Sequence, residues 1–209
     1  SEDLKNLIDG TRVGYISGIN LLNKKDLILL KQKVTNFFKS NFNVINCTGY
    51  YLGQEPFEKT SIDEAKKIFD GNFLTVYNTA YTLLPLMKLR GGGHFILFGC
   101  NSVVYNYPWM AAFTAAKTAL QSLATSLAHE YAEDNIHINT LRLATLQTPR
   151  ELTTKPYGDQ KNWINPYDIA ELIESLTQGP FSLINGAAID LYKPSPLYYH
   201  QSYFDRIKR

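Results

Sequence analysis

His94-Phe95-Ile96-Leu97-Phe98, then Ala111-Ala112-Phe113-Thr114-Ala115-Ala116-Lys117, then Ile136 through Leu143: the reading of this passage decides the fold. The first piece is a short apolar run set off by Gly91-Gly92-Gly93, which predicts a strand buried on both faces. The second opens a helix to about Ala132, with Phe113, Ala116, Leu120, Leu123, Leu127 and Tyr131 at helical spacing on one face. The third returns as a strand. Strand, helix and strand in this order point to an α/β fold with a mainly parallel sheet.

Working outward, the same alternation continues. Arg12 to Ile19 reads as a strand, Lys25 to Phe38 as a helix and Asn43 to Thr48 as a second short strand. Ser61-Ile62-Asp63-Glu64 is a capping box that opens a long helix carrying Ile68, Phe69, Phe73, Val76, Tyr77, Ala80 and Leu84 at helical spacing. Asn165-Pro166 starts a helix to about Thr177, and Ala187 to Leu191 closes the sheet. Residues 1–192 are expected to form one domain and 193–209 a C-terminal tail, whose Arg206-Ile207-Lys208-Arg209 reads as solvated.

The totals narrow the function classes. A formal charge of +2 with no Lys/Arg block gives no footprint for nucleic acid or an anionic membrane. Cys47 and Cys100, the only cysteines, cannot build a disulfide framework and match no metal spacing, so a reducing, cytoplasmic setting is expected, without a bound metal. No apolar run reaches the roughly 18 residues that span a bilayer.

Six short segments, in order, resemble the markers of the short-chain dehydrogenase/reductase family. Asn20-Leu21-Leu22-Asn23 resembles its Asp-Val-Thr-Asp segment beside the adenine pocket, and Asn46-Cys47-Thr48-Gly49 resembles Asn-Asn-Ala-Gly. Asn72 falls at the family's catalytic asparagine. Ala111 to Lys117 resembles Ala-Ala-Tyr-Ser-Ala-Ser-Lys, Pro166-Tyr167-Asp168-Ile169-Ala170 resembles Pro-Glu-Asp-Val-Ala, and Ile184-Asn185-Gly186 resembles Ile-Thr-Gly. The resemblance implies a Rossmann-like, doubly wound sheet and a nicotinamide cofactor, NAD or NADP. It implies cofactor contacts at Asn20, Asn46, Gly49, Lys117 and Thr148, and catalytic positions at Asn72, Cys100, Phe113 and Lys117.

At those positions the departures carry the message. The family's tyrosine protonates the substrate carbonyl, and a lysine brings its pKa down from near 10. Phe113 stands there instead, four residues before Lys117, and has no proton to give. The serine position falls on Cys100, a weaker donor. Leu143-Ala144 replaces a Pro-Gly pair, whereas Thr148-Pro149 keeps the expected threonine. No Gly-x-x-x-Gly-x-Gly loop is present, so no pyrophosphate cradle is visible. Gly14-Tyr15-Ile16-Ser17-Gly18 is a poor substitute.

By the same resemblance the family's first two strands are absent. Arg12–Ile19 and Asn43–Thr48 would then be left with unpaired backbone. Either the first of them moves across, or another chain supplies the missing strands, or the sequence is incomplete; the Ser1 start favours the last. Two functions stay open. The leading one is a degenerate family member acting as a ligand-binding or partner subunit, in a homo-oligomer (dimer or tetramer) or beside an active relative. The other is a working NAD(P)-dependent reductase whose acid is Tyr105, Tyr107 or a water. Cys47 and Cys100 are expected to be space-filling, and His94, His129 and His137 structural.

Overall fold

The computed structural model describes residues 16–154, 160–179 and 181–192. Four parallel strands form one sheet in the order β1-β2-β3-β4: β1 Val44–Asn46, β2 Gly93–Cys100, β3 Ile136–Leu143 and β4 Ala188–Leu191. The helices are α1 Lys24–Phe37, α2 Ile62–Phe69, α3 Thr75–Leu89, the single turn α4 Ser102–Tyr105, α5 Ala111–Glu130, α6 Pro149–Thr154 and α7 Pro166–Gln178. The α/β, doubly wound, mainly parallel architecture expected from the sequence is what the chain adopts.

Both faces of the sheet are covered, which is why β2 reads as an unbroken apolar run. On one face Phe95, Leu97, Ile136 and Ile138 pack against Val76, Ala80 and Leu84 of α3 and Leu120, Ala124 and Ala128 of α5. The α5 row Ala116, Leu120, Ala124, Ala128 is buried throughout, and its small residues let the helix seat close to the strands. On the other face Ile96, Leu141 and Leu143 meet Ile164, Ile169 and Leu176. Gly92 and Gly93 sit at φ +93° and +133°, where a Cβ would run into the backbone of Asn135 and Phe42. That tight junction admits the chain from α3 into β2.

Several expected boundaries move. β1 spans only Val44–Asn46, and β2 runs on to Cys100. α5 stops at Glu130 because Ala132–Asp134 tightens into a 3-10 turn. The expected strand Arg12–Ile19 is corrected in its described part: residues 16–20 are not strand. A strand exists only by pairing, and no described strand lies along the far edge of β1. Residues 12–15 and the tail 193–209 lie outside the described residues. The capping box at Ser61 forms, with Ser61 Oγ accepting from the Glu64 N–H at 3.2 Å and Glu64 Oε2 accepting from the Ser61 N–H at 2.9 Å. The helix it opens does not run straight through. Asp70–Leu74 widens into a π turn between α2 and α3.

Candidate functional site

The site lies where β1 and β2 end, beside the π turn and the start of α5. Asn46, the last residue of β1, is 5% exposed and accepts the Thr48 N–H at 3.0 Å, which bends the chain away from the sheet. The loop that follows is locked onto the π turn. Asn72, fully buried inside that turn, donates from Nδ2 to the carbonyls of Tyr50 (2.6 Å) and Ile68 (2.8 Å) and accepts the Tyr50 N–H at 3.3 Å. Gly71 makes this approach possible, because a Cβ there would lie 2.5 Å from Tyr50 Cβ. Single π turns inside α-helices occur often at functional sites, where the extra residue re-aims a side chain.

Lys117 reaches the same place from α5. Its side chain is buried, and Nζ donates to the Phe98 carbonyl at 2.8 Å. A Cβ at Gly49 would lie 3.6 Å from this nitrogen and 3.3 Å from Asn72 Oδ1, so the glycine lets the loop come close to both. Burial lowers Lys117 from the ordinary 10.5 to about 8, against a smaller upward pull from Cys100. Among the described residues no carboxylate forms an ion pair with it.

Phe113 lies one helical turn before Lys117, with its ring centroid 5.8 Å from Nζ. Its ring packs edge-on to Tyr51 at 5.1 Å. Cys100 ends β2 as a free thiol; its sulfur accepts the Ser102 N–H at 3.5 Å and lies 3.6 Å from Asn101 Oδ1. Asn101 in turn donates to the Tyr107 hydroxyl at 3.4 Å, and the Tyr105 and Tyr107 rings stack at 5.8 Å.

Asn72, Cys100, Phe113 and Lys117 are thus gathered at one end of the sheet, with Asn46 and Gly49 bordering them. Asn20 and Thr148 are engaged elsewhere. Asn20 Oδ1 accepts the Leu22 N–H and its own N–H donates to Asp26, both at 2.9 Å, in the entry to α1. Thr148 Oγ1 accepts the Glu151 N–H at 3.3 Å at the start of α6. Sequence reasoning missed Tyr51, Asn101 and the Phe98 carbonyl. Asn101, next to the singled-out Cys100, and Tyr51, two residues after Gly49, carried only that positional signal.

Of the residues that the resemblance gives to a nicotinamide cofactor, Asn46, Gly49 and Lys117 are brought together here. Lys117 Nζ, with N–H groups beyond the one given to Phe98, is the group that would hold ribose hydroxyls, and a Cβ at Gly49 would press on it and on Asn72. The pyrophosphate end is different: among the described residues no glycine loop leads into a helix N-terminus. Gly18, at φ +73°, opens onto nothing within 4 Å, and α1 is capped by Asn23. Such a cofactor supplies or accepts hydride when bound.

Comparison with known proteins bears on the family and the fold. The family model described as short chain dehydrogenase matches residues 26–156. YtkK of Bacillus subtilis is 24% identical over 191 residues, covering 86% of this chain and 74% of its own length. A 2,3-dihydroxy-2,3-dihydro-p-cumate dehydrogenase of Pseudomonas putida is 31% identical over 105 residues, which is 50% of this chain and only 40% of that protein. Among solved structures, a tyrosine-to-phenylalanine variant of ElxO with NADPH bound matches at a TM-score of 0.80 and 16% identity, covering 90% of this chain and 81% of that one. At that identity the likeness bears on the fold alone.

Proposed function

The chain belongs to the short chain dehydrogenase family, and on that premise we propose that it is a catalytically degenerate member, a ligand-binding or partner subunit that performs no ordinary carbonyl reduction. One observation carries this reading. The ring one turn before the buried Lys117 is that of Phe113, packed against Tyr51 and without a hydroxyl. A carbonyl held there would find no phenol to protonate its oxygen as hydride arrives. Cys100, in the neighbouring position, offers only a weak S–H donor.

Asn46, Gly49 and Lys117 remain suited to the ribose of NAD or NADP, and the ElxO variant holds NADPH with a phenylalanine in place of a tyrosine. Cofactor binding by this chain is nonetheless expected to be weak, since no phosphate cradle stands among the described residues. Association is expected through the outer side of the π turn and α3, where Leu74, Tyr77 and Tyr81 are exposed, either with a second copy or with an active relative. No helix among the described residues is long and apolar enough to cross a membrane. A cytoplasmic setting belongs to the same proposal.

The test is turnover of the unaltered protein on a panel of ketones and aldehydes with NADH and NADPH, followed by nicotinamide absorbance. Rates at blank level are expected. A second reading, an active reductase, rests on the Tyr107 hydroxyl, which Asn101 ties to within one residue of Cys100. Robust turnover that Tyr107→Phe abolishes would establish that reading in place of the first.

A further inference from the structure

The C-terminal ends of α3 and α5 enclose a cleft of about 410 Å³, lined by Pro85, Lys88, Leu89, Glu130, Tyr131 and Asp134. The volume is that of a small-molecule site. It lies at the opposite end of the sheet from Lys117. α3 ends just before β2 begins and Asp134 stands two residues before β3, whereas Cys100 closes β2 at the far end. The chemistry considered above makes no use of this cleft. We propose that it binds small organic cations, with a primary ammonium at Glu130 and an aromatic or alkyl body between Pro85, Leu89 and Tyr131.

The charges set the sign of the ligand. Lys88 Nζ is paired with Asp134 Oδ2 at 2.9 Å, which leaves Glu130 without an ion pair among the described residues. The neighbouring cations turn elsewhere: Arg90 donates to the Lys39 carbonyl at 3.4 Å, and His129 lies beside Gly186. Both helices point their C-terminal ends at the cleft, and each end adds partial negative charge. The Tyr131 phenol responds to the same groups. Burial raises its pKa most, Glu130 and Asp134 push the same way and Lys88 opposes them, so all four side chains face one space.

The walls set the rest of the ligand. Leu89 is 81% exposed, Pro85 is exposed and Tyr131 is half-buried, so the carboxylate stands beside apolar surface that water covers at a cost. An apolar body attached to the ammonium would cover that surface. A bare metal ion would not suit the cleft, since among the described residues no three ligating side chains come together. An anion would meet Glu130 and two helix C-termini. This inference stands apart from the reading of lost reduction and holds whether or not a nicotinamide binds.

The experiment titrates the full nitrogen-15-labelled chain at pH 7 and low salt with 2-phenylethylamine, 2-phenylethanol and phenylacetate, which share one ring and differ in charge. The amine is expected to bind at least ~5-fold more tightly than the alcohol, and phenylacetate most weakly. Its amide shifts should gather at residues 85–89 and 130–134. High salt should remove most of the preference. Glu130→Gln, a change at an exposed position, should bring the amine down to the alcohol and leave the alcohol as it was. An amine that binds the unaltered protein no more tightly than the alcohol, or whose shifts fall outside the cleft, overturns the proposal without reference to any variant. Neither nicotinamide nor ketone is present, so the result is independent of the turnover test above.

Discussion

Replacing Lys117 by methionine should make the protein more stable at neutral pH and less stable at high pH. The side chain is lowered from 10.5 to about 8 by burial. For a base with a depressed folded pKa, the unfolded chain holds the proton more tightly. The penalty is therefore complete below about pH 8 and is relieved as the pH rises toward the unfolded value near 10.4. At roughly 1.4 kcal/mol per tenfold change in the constant, that penalty is about 3 kcal/mol. Methionine removes it, fills a similar volume and leaves the Phe98 carbonyl without its donor, at a cost of about 1 kcal/mol. The variant should be more stable by about 2 kcal/mol at pH 7 and less stable by up to about 1 kcal/mol near pH 10. Urea unfolding followed through the buried Trp163 reads both values. A stability difference that stays constant between pH 7 and pH 10 would refute the assignment of a depressed, buried ammonium.

Gly71→Ala should cost about 1–3 kcal/mol, since the new Cβ meets Tyr50 Cβ and only a shift of the loop can relieve it; a neutral thermal melt would mean that the loop is not clamped. His94 stacks on His137 at 5.0 Å, and burial, aided by His137, lowers its pKa. Its neutral form is the folded form, so stability should fall as the pH drops below about 6.5, and His94→Phe should remove that dependence in acid melts. Calorimetric titration with NADH or NADPH should show weak binding or none, and micromolar affinity would reveal phosphate donors beyond those described.

The parts of the fold that were legible in the sequence are those fixed by local chemistry. The alanine-rich α5 declared itself by propensity and a buried stripe, the Ser61 box by capping, and β2 by its apolar run between glycines. Ile16 to Ile19 read as the end of a strand but form none, because a strand depends on its neighbours as well as on its own residues. The π turn escaped notice for a related reason: it depends on Tyr50 closing over Gly71, a contact between distant segments. At the site, Phe113 and Lys117 were readable from their spacing along one helix. Tyr51, whose ring packs edge-on against Phe113, comes from another loop and left only its position two residues after Gly49 as a clue.

The central claim is that hydride chemistry is lost here for want of a proton donor at Phe113, and one side-by-side assay tests it. The unaltered protein and the double variant Phe113→Tyr, Cys100→Ser, each with an intact cofactor loop, are compared at equal concentration with NADPH and one ketone substrate, by nicotinamide absorbance. General acid catalysis contributes about 10²–10⁴-fold, and the restored phenol would stand one turn from a lysine placed to lower its pKa. The account predicts background rates for the unaltered protein and measurable turnover for the variant. Robust turnover by the unaltered protein, unchanged when Phe113 is altered, would contradict it.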